Sequence, residues 1–447
     1  MNNQTYYRLE NIINYENLYN SFDICKKGLM WKDSVTRYSL LEDYYVNEII
    51  YLFYNNDGYR YLKDPLYHTF IMERGKERLI CSQTIRDRVV DKAFNINFLL
   101  PSFVPTFIYD NGASLPGKGL DFSLNRLEKF LYREFINNNG DFYYLKCDIK
   151  KFFDTIPHQY ILNQIANRTQ DPRIMQYFID QFEQFRVDPY IHNGDNQPFG
   201  IGLGAETNQS FGLICLNEMD HIIKEKFQIH SYVRYMDDFV IIHKDKKYLE
   251  EILSYLHEYL LSIGLQLNRD KTQIQHIHQG ILFLKVHFYI NETGKIYRKP
   301  YKKTIRRLKR KMKKLSELLE EGIVTYTDIR AFYTSSLGSL TRCDCWHEIQ
   351  VLNDLFYQLY LSENITEEEY KEFTGTLRKS ELEEIDYHIE NPFKLAEIRK
   401  EFGITADQIP TIQKPIIFIK KVNRVYKNKK ESPMETPSDY NYELFNS

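Results

Sequence analysis

The stretch Tyr232–Ile242, YVRYMDDFVII, places two adjacent carboxylates between two runs of apolar and aromatic residues. Such residues favour strands, so the stretch predicts a β-hairpin that carries Asp237 and Asp238 at or beside its turn. Burying neighbouring carboxylates is costly unless cations neutralise them, and Mg²⁺ prefers oxygen ligands of this kind. A solvated Asp-Asp turn accounts for the same residues, and this motif alone does not decide between the two interpretations.

A second acidic stretch, KCDIKKFFDTIPH at 146–158, ends a predicted strand at Asp148 and carries Asp154 further on. Two-metal phosphoryl transfer requires carboxylates from separate strands that converge on ions about 3.5–4 Å apart. Asp148 and Asp237 are the candidates for this pair, with Asp238 assisting. Taken alone, Asp148 would be an ordinary strand-end or helix-capping residue. The two stretches together favour metal-dependent phosphoryl transfer.

The order of five motifs resembles the palm of a reverse transcriptase, in the prokaryotic branch of group II intron, retron, diversity-generating and phage-defence enzymes. The motifs are DIKKFFD (148–154), LGAETNQSFGLICLNEMD (203–220), YMDD (235–238), LNRDKT (267–272) and FLKVHF (283–288). The resemblance covers about residues 76–361. It implies an α+β right-hand polymerase fold, with fingers, a palm built on an antiparallel sheet and a helical thumb. It also implies that Asp148, Asp237 and Asp238 are the catalytic, metal-binding acids.

The same resemblance implies roles for four further residues. Phe153, five positions after Asp148, would select deoxynucleotides because its ring excludes a 2′-hydroxyl. Lys76 and Arg78 would clamp the triphosphate of the incoming nucleotide, a task that suits fixed cationic donors. Lys271 would protonate the departing pyrophosphate. Without the resemblance, these residues would be a core phenylalanine, two surface charges and a solvated turn lysine.

Two positions depart from the common pattern. Many reverse transcriptases carry Gln-Gly where this chain has Leu203-Gly204, and the sequence then continues to Asn208-Gln209. This LGxxxNQ pattern is similar to that of the diversity-generating branch, which ends in Ser-Gln. We predict that Leu203, Gly204 and Gln209 line the nucleotide site and that the missing amide lowers fidelity. The run ILFLKVHFYI at 281–290 predicts a single strand. Lys285 stands where relatives often have glycine in this primer-grip strand, and we predict that it contacts the primer.

Two segments are candidates for nucleic-acid contact. The glycine-rich loop at 111–123 carries Lys118, which the resemblance places beside the template. Twelve of the twenty residues at 295–314 are Lys or Arg, none is acidic, and two tyrosines are interleaved. A charge run is usually a solvated helix face, but this excess favours attraction to a phosphate backbone. The predicted template–primer contacts there are Arg306, Arg307 and Arg310.

Composition narrows the class of protein further. The net charge of −2 argues at first against a nucleic-acid partner, yet it results from cancellation between the basic segment and acidic stretches elsewhere. Six sparse and mostly isolated cysteines are typical of a reducing compartment rather than of a disulfide scaffold. There is no apolar run of about 20 residues and no signal-peptide pattern at the start. These features predict a cytoplasmic protein, in a bacterial or phage-infected cell, without membrane contact.

Five segments are predicted along the chain. They are an N-terminal extension (1–70), fingers (71–140), the palm with part of the fingers (141–290), a helical thumb with the basic segment (291–362) and a C-terminal extension (363–447). Because its end is rich in Pro, Ser and charge, we predict that the tail is disordered.

The predicted function is that of an RNA-directed DNA polymerase using Mg²⁺, or Mn²⁺, with dNTPs, an RNA template and a DNA primer or cDNA product. The template could be a dedicated non-coding RNA. A stand-alone enzyme of antiphage defence is the preferred biological role. The alternatives are a diversity-generating enzyme, a template-independent polymerase and an RNA-binding module with a vestigial site. The oligomeric state stays open.

Overall fold

A computed structural model of the chain describes four stretches, which are residues 7–55, 60–73, 76–186 and 199–360. The described residues form two compact units, which divide between Gln279 and Gly280. The predicted disorder of the tail at 363–447 lies outside the described residues. The division into five segments stays a prediction.

The first unit begins with three helices, α1 (Tyr15–Cys25), α2 (Asp33–Leu40) and α3 (Glu42–Tyr54). The side chain of Asn14 caps α1 by accepting a hydrogen bond from Asn17 N at 2.9 Å, as is usual for Asn at this position. Phe22 and Phe53 are buried and belong to the main hydrophobic core. Helices α1 and α3 therefore contribute side chains to the core of the first unit.

A β-hairpin and a run of helices follow. The hairpin is β1 (Tyr67–Glu73) with β2 (Lys76–Ser82). After it come α4 (Ile85–Phe94), a π-helical turn (Asn95–Leu99), α5 (Leu100–Phe103), a 3₁₀ turn (Val104–Thr106) and α6 (Leu120–Asn138).

The centre of the first unit is an antiparallel sheet with strand order β4-β5-β3-β6. Its strands are β3 (Tyr143–Asp148), β4 (Tyr232–Tyr235), β5 (Asp238–His243) and β6 (Gln273–His276). The predicted hairpin with two acids at its turn is confirmed, since β4 and β5 flank Asp237. Phe239, Val240 and Ile241 are all fully buried, so both faces of β5 are covered.

Six helices complete the first unit. They are α7 (Phe152–Thr155), α8 (His158–Ala166), α9 (Pro172–Phe185), α10 (Glu206–Cys215), α11 (Asn217–His221, continued by a π-helical turn) and α12 (Lys246–Ser262). Phe178 on α9 and Phe211 on α10 meet edge to face, with ring centroids 5.7 Å apart. Aromatic contacts of this kind bury a large apolar area between helices.

The second unit has its own sheet and helices. They are β7 (Ile281–Phe283), β8 (Val286–Ile290), β9 (Ile296–Pro300), α13 (Lys302–Glu320), α14 (Tyr326–Leu340) and α15 (Trp346–Tyr360). The expectation of a single strand over 281–290 is wrong. The chain turns back at Leu284 and Lys285, whose φ angles of 47° and 66° are those of a tight hairpin turn.

Helices and antiparallel sheets of this kind make the chain an α+β protein, as the sequence predicts. Within the part of the chain that the structure describes, no helix combines the length and the apolar character needed to cross a membrane.

Candidate active site

The paired strands β3 and β5 bring the predicted catalytic acids together. Asp148 is the last residue of β3 and lies directly opposite Asp238, the first residue of β5. Asp237 occupies the turn between β4 and β5. The antiparallel register therefore brings Asp148, at one end of the sheet, beside Asp237 and Asp238, which follow it in the sequence by about ninety residues.

The electrostatic state of these acids reflects their crowding. Burial, together with the neighbouring charge of Asp148, raises the pKa of Asp237 to about 6, while Lys271 and Arg78 oppose the shift. Burial also raises the pKa of Asp238 to about 6, against the attraction of Lys146. Like charges held together in a partly desolvated place favour the protonated form or the arrival of a cation.

Lys271 supplies a cation to this cluster in the structure. Its Nζ donates to both carboxylate oxygens of Asp148 at 2.8 Å, and the side chain is 56% exposed. Asn268 donates its backbone N–H to the carbonyl oxygen of Asp148 at 2.8 Å and its Nδ2 to Oδ2 at 3.1 Å. The LNRDKT motif thus fixes both the backbone and the carboxylate of Asp148.

The donor set is suited to a hard divalent ion. Oδ1 of Asp238 is buried and accepts no hydrogen bond, and Lys146 Nζ lies 3.5 Å from it. Carboxylate oxygens without protein partners are the ligands that Mg²⁺ takes. Among the described residues, no three acidic, His or Cys side chains already converge on one point. The three carboxylates are therefore the kind of ligand that Mg²⁺ takes. In this structure, however, both carboxylate oxygens of Asp148 accept hydrogen bonds from Lys271.

A buried ion pair supports the turn that carries Asp237. Met236 has a φ of 53°, and its carbonyl oxygen accepts a hydrogen bond from Arg234 Nη1 at 3.1 Å. Arg234 is fully buried and donates to Asp220 at 2.7 and 2.6 Å, while Tyr232 also donates to Asp220 at 2.6 Å. Sequence reasoning missed Arg234, although a lone cation inside the apolar run YVRY is itself a signal.

Phe153 lies close to the same turn. It is partly buried on α7, with its ring centroid 5.4 Å from that of Phe152. A Cβ atom on Gly212 of α10 would lie 3.1 Å from the Phe152 ring, 3.6 Å from the Phe153 ring and 3.7 Å from Met236 Sδ. The glycine therefore lets α10 pack closely against both rings and the turn, a second contribution that sequence reasoning missed.

Leu203 and Gly204 contact the end of β2. Cys81 N donates to the Leu203 carbonyl oxygen at 2.7 Å. At Gly204, where φ is +143°, a Cβ atom would lie 2.0 Å from the Cys81 carbonyl oxygen. Only glycine fits such a close backbone approach. The contacts recorded here are therefore structural, and nucleotide binding by these two residues stays a prediction.

The first turn of α10 is held from outside the helix. The backbone N–H and the hydroxyl of Thr207 donate to Asp91 of α4, at 3.2 and 2.7 Å. Gln209 is exposed, and its Oε1 accepts a hydrogen bond from Ser114 Oγ at 2.6 Å. Gln209 is therefore accessible to a ligand, as its predicted role requires.

The remaining candidates of the first unit differ in their surroundings. Lys118 Nζ donates to the carbonyl oxygens of Tyr109 and Asn111, at 2.7 and 3.1 Å, and so holds its own loop together. Arg78 is exposed on β2, and its charge acts on Asp237. Lys76 begins β2.

The candidates of the second unit lie on exposed positions. Lys285 is exposed at the turn between β7 and β8. Arg306, Arg307 and Arg310 occupy the exposed face of α13, whose other face buries residues such as Met312.

Comparison with known proteins identifies the family. Residues 63–315, more than half of the chain, match the family model described as "Reverse transcriptase (RNA-dependent DNA polymerase)". All three acids lie inside this segment. The chain therefore belongs to the reverse transcriptase family, and the family membership supports the predicted right-hand polymerase fold.

Two curated proteins resemble the chain at low identity. Protein YkfC of Escherichia coli K12 is 23% identical over 243 residues, which cover 47% of this chain and 62% of that protein. The COX1/OXI3 intron 2 protein of Saccharomyces cerevisiae is 24% identical over 240 residues, which cover 40% of this chain and 27% of that protein. The chain thus spans less than two thirds of the length of either relative.

Solved telomerase structures are also similar. One, from Candida albicans in complex with a fragment of telomeric RNA, gives a TM-score of 0.41 at 12% identity, covering 84% of this chain and 68% of that one. Another, apo telomerase from Candida tropicalis, gives 0.41 at 14% identity, covering 70% and 59%. Because these TM-scores are low, the family assignment rests on the sequence match.

Proposed function

We propose that the chain is an RNA-directed DNA polymerase that extends a DNA primer on an RNA template. The observation that carries this proposal is the placement of Asp148 opposite Asp238, with Asp237 in the adjoining turn. Family membership favours the same activity. The intact acids argue against an RNA-binding module with a vestigial site.

Asp148, Asp237 and Asp238 would hold Mg²⁺, or Mn²⁺ in its place. When bound, the ions supply activation of the attacking 3′-oxygen and stabilisation of the leaving pyrophosphate. The raised pKa values of Asp237 and Asp238 support this assignment, as does the buried Oδ1 of Asp238, to which Lys146 Nζ comes no closer than 3.5 Å. Lys271 is half exposed, so its ammonium can turn from Asp148 and donate a proton to the pyrophosphate.

Two cations would bind the triphosphate of the incoming dNTP, and one aromatic ring would select its sugar. Lys76 and Arg78 would hold the triphosphate, and Phe153 would exclude a 2′-hydroxyl. The position of Phe153 between Phe152 and Gly212, close to the turn that carries Asp237, supports this role because its ring has little freedom to move.

Template and primer would be bound by dispersed cations. Arg306, Arg307 and Arg310 offer a charged, exposed helix face for a phosphate backbone. Lys285 would contact the primer. The ammonium of Lys118 has three N–H donors, and two of them bond carbonyl oxygens of its own loop. The third would donate to the template.

We propose antiphage defence as the biological role, carried out in the cytoplasm of a bacterial or phage-infected cell, with a dedicated non-coding RNA as the template. A diversity-generating role is the second candidate, favoured by Leu203 and Gln209 in the LGxxxNQ pattern. A misincorporation assay tests the low fidelity that this pattern predicts. Ordinary fidelity that Leu203→Gln leaves unchanged would remove the support.

Product sequencing tests the proposed activity. Purified protein is incubated with its co-purifying RNA, Mg²⁺ and each set of dNTPs, and the product is sequenced beside that of Asp237→Ala. DNA complementary to the RNA supports the proposal. A homopolymer indicates template-independent synthesis, and no difference from Asp237→Ala contradicts a polymerase function.

A further inference from the structure

A short arch of the glycine-rich loop packs against the turn that carries Asp237. Ala113 and Leu115 are buried in a small cluster with Leu213 of α10 and Met236, and Phe153 packs against it. Ser114, between the two buried residues, is exposed and has a φ of 47°. Because both of its neighbours are buried, Ser114 is held at a fixed place beside the candidate active site.

The hydroxyl of Ser114 defines the orientation of the Gln209 carboxamide. Ser114 Oγ donates to Gln209 Oε1 at 2.6 Å. A carboxamide has one oxygen, which accepts, and two N–H donors, so this bond turns the oxygen toward Ser114 and leaves both donors facing away from it for a ligand. Neighbouring polar side chains of α10 are already engaged, since Thr207 bonds Asp91 and Ser210 donates to Asn95 at 2.7 Å.

The surroundings favour a neutral acceptor over a phosphate. Gln209 carries no charge, and the cluster beside it is formed by apolar side chains such as Leu213 and Met236. Phosphate sites are usually built from Arg or Lys, or from backbone N–H groups. The bases of a duplex present neutral acceptors in the minor groove, such as adenine N3 and thymine O2.

We infer that Ser114 is a positioning residue that directs the amide N–H donors of Gln209 toward the minor-groove acceptors of the base pair at the active site. This inference rests on the proposed polymerase function. Since A·T and T·A pairs present an acceptor at equivalent places, an N–H donor senses the position of the pair without reading which strand carries which base. Such a contact is compatible with templated synthesis at either of these pairs.

Removal of a single acceptor atom tests the inference. Incorporation of one dTTP is measured on RNA templates that carry adenine or 3-deazaadenine, either at the templating position or in the preceding pair. We expect the wild-type kcat/KM to fall about three- to tenfold on one of the 3-deaza templates, the size of one neutral hydrogen bond. Templates with 7-deazaadenine, which lack a major-groove acceptor, should behave like adenine.

Variants assign the effect to the two residues. Gln209→Leu should lower kcat/KM on adenine and show no further loss on 3-deazaadenine, and Ser114→Ala should reduce the 3-deaza loss. Two matched controls should retain the wild-type loss. They are Gln159→Leu, whose amide bonds Asn163 on α8, and Ser254→Ala, whose hydroxyl bonds the Glu250 carbonyl on α12.

The possible failures are distinguishable. An equal 3-deaza loss in the wild type and in Gln209→Leu overturns the inference, as does the absence of any loss in the wild type. If the wild type fails to incorporate dTTP on the adenine template, the proposed polymerase function itself is overturned, and the inference with it.

Discussion

At the scale of the residue, the candidate site depends on buried charge held in fixed positions. Arg234 is fully buried, pairs with Asp220 and also donates to the carbonyl oxygen of Met236, beside the acidic turn. Phe153 is fixed by Phe152 and by the closeness that Gly212 allows. Each of these residues acts on the geometry of the site and gives a separate prediction.

Removal of Arg234 should lower both the stability of the fold and the polymerase kcat, and a second substitution should restore only the stability. Arg234→Met leaves Asp220 buried without its partner, so we expect a loss of about 3–5 kcal/mol in the free energy of unfolding. The double variant Arg234→Met/Asp220→Leu should recover much of that stability in urea unfolding. It should not recover polymerase kcat, because the Met236 carbonyl stays unbonded.

The exposed pair of Lys246 and Glu250 is the matched control for this prediction. Lys246→Met should cost less than about 1 kcal/mol, as is typical of surface ion pairs. Full recovery of kcat in the double variant would show that Arg234 contributes stability only.

Truncation of Phe153 should relax sugar selection. Phe153→Val removes the bulk that we propose meets the 2′-position, so we expect incorporation of ribonucleotides relative to deoxynucleotides to rise about tenfold or more. Single-nucleotide incorporation with matched rNTP and dNTP pairs measures the ratio. Tyr132→Val, at an exposed aromatic residue of α6, should leave the ratio unchanged. An unchanged ratio in Phe153→Val would refute the assigned role.

At the scale of the element, helices α10 and α13 position the groups that matter most for the candidate site. The N-terminus of α10 is capped by Asp91 of α4, through the Thr207 backbone and hydroxyl. Helix α13 buries one face, including Leu308 and Met312, and exposes a face of arginines and lysines. The first helix is thus fixed by a buried carboxylate, and the second presents a charged surface.

The cap gives the stability of the first unit a defined pH dependence. Burial raises the pKa of Asp91 from 3.8 to about 6, with Lys63 and the Thr207 hydrogen bonds opposing the shift. Between pH 4 and 6 the folded state therefore retains a proton that the unfolded state has released. The contribution of Asp91 to the free energy of unfolding falls as the pH rises through this window, by up to about 3 kcal/mol.

Asp91→Asn should remove this slope. Chemical denaturation at pH values from 4 to 7 should give a smaller decrease of stability with rising pH in the variant than in the wild type. Glu16→Gln, an exposed change on α1, should leave the slope unaltered. Equal slopes in the wild type and Asp91→Asn would contradict the assignment.

The charged face of α13 should control the salt dependence of template binding. If Arg306, Arg307 and Arg310 contact phosphates, their reversal to Glu should weaken binding and lower the slope of log K against log[salt] by about 2–3. Reversal of Lys244, Lys246 and Lys247, exposed around the start of α12, is the control and should change the slope little. An unaltered slope after the arginine reversal would exclude these residues as the contact.

The sequence reveals the acids and the β4–β5 hairpin because strand patterns and a tight turn are local. Its limits are set by distance along the chain. Thr207 and Asp91 are 116 positions apart, and Ser114 and Gln209 are 95 positions apart. Neither hydrogen bond can therefore be predicted from a local pattern in the sequence. The prediction of a single strand over 281–290 is wrong for a local reason. The turn falls at Leu284 and Lys285, which are not residue types that usually indicate a turn with positive φ.

At the scale of the whole molecule, the net charge of −2 is the sum of acidic and basic groups that lie in different parts of the chain. The first unit gathers Asp148, Asp237 and Asp238 at the end of its central sheet, and the second carries the basic helix α13. A polymerase needs both an acidic centre for cations and a basic surface for nucleic acid. The distribution of charge, and not its sum, agrees with membership of the reverse transcriptase family.

Extension of a labelled DNA primer on a defined RNA template, with Mg²⁺ and dNTPs, tests the central claim most directly. The account predicts template-dependent extension by the wild type and by Asp141→Asn, at an exposed acid just before β3. It predicts at least about a thousandfold loss in Asp237→Asn, which keeps the shape of the side chain and removes the charge that binds the ions. Template-dependent extension at the wild-type rate by Asp237→Asn, or none by the wild type, would contradict it.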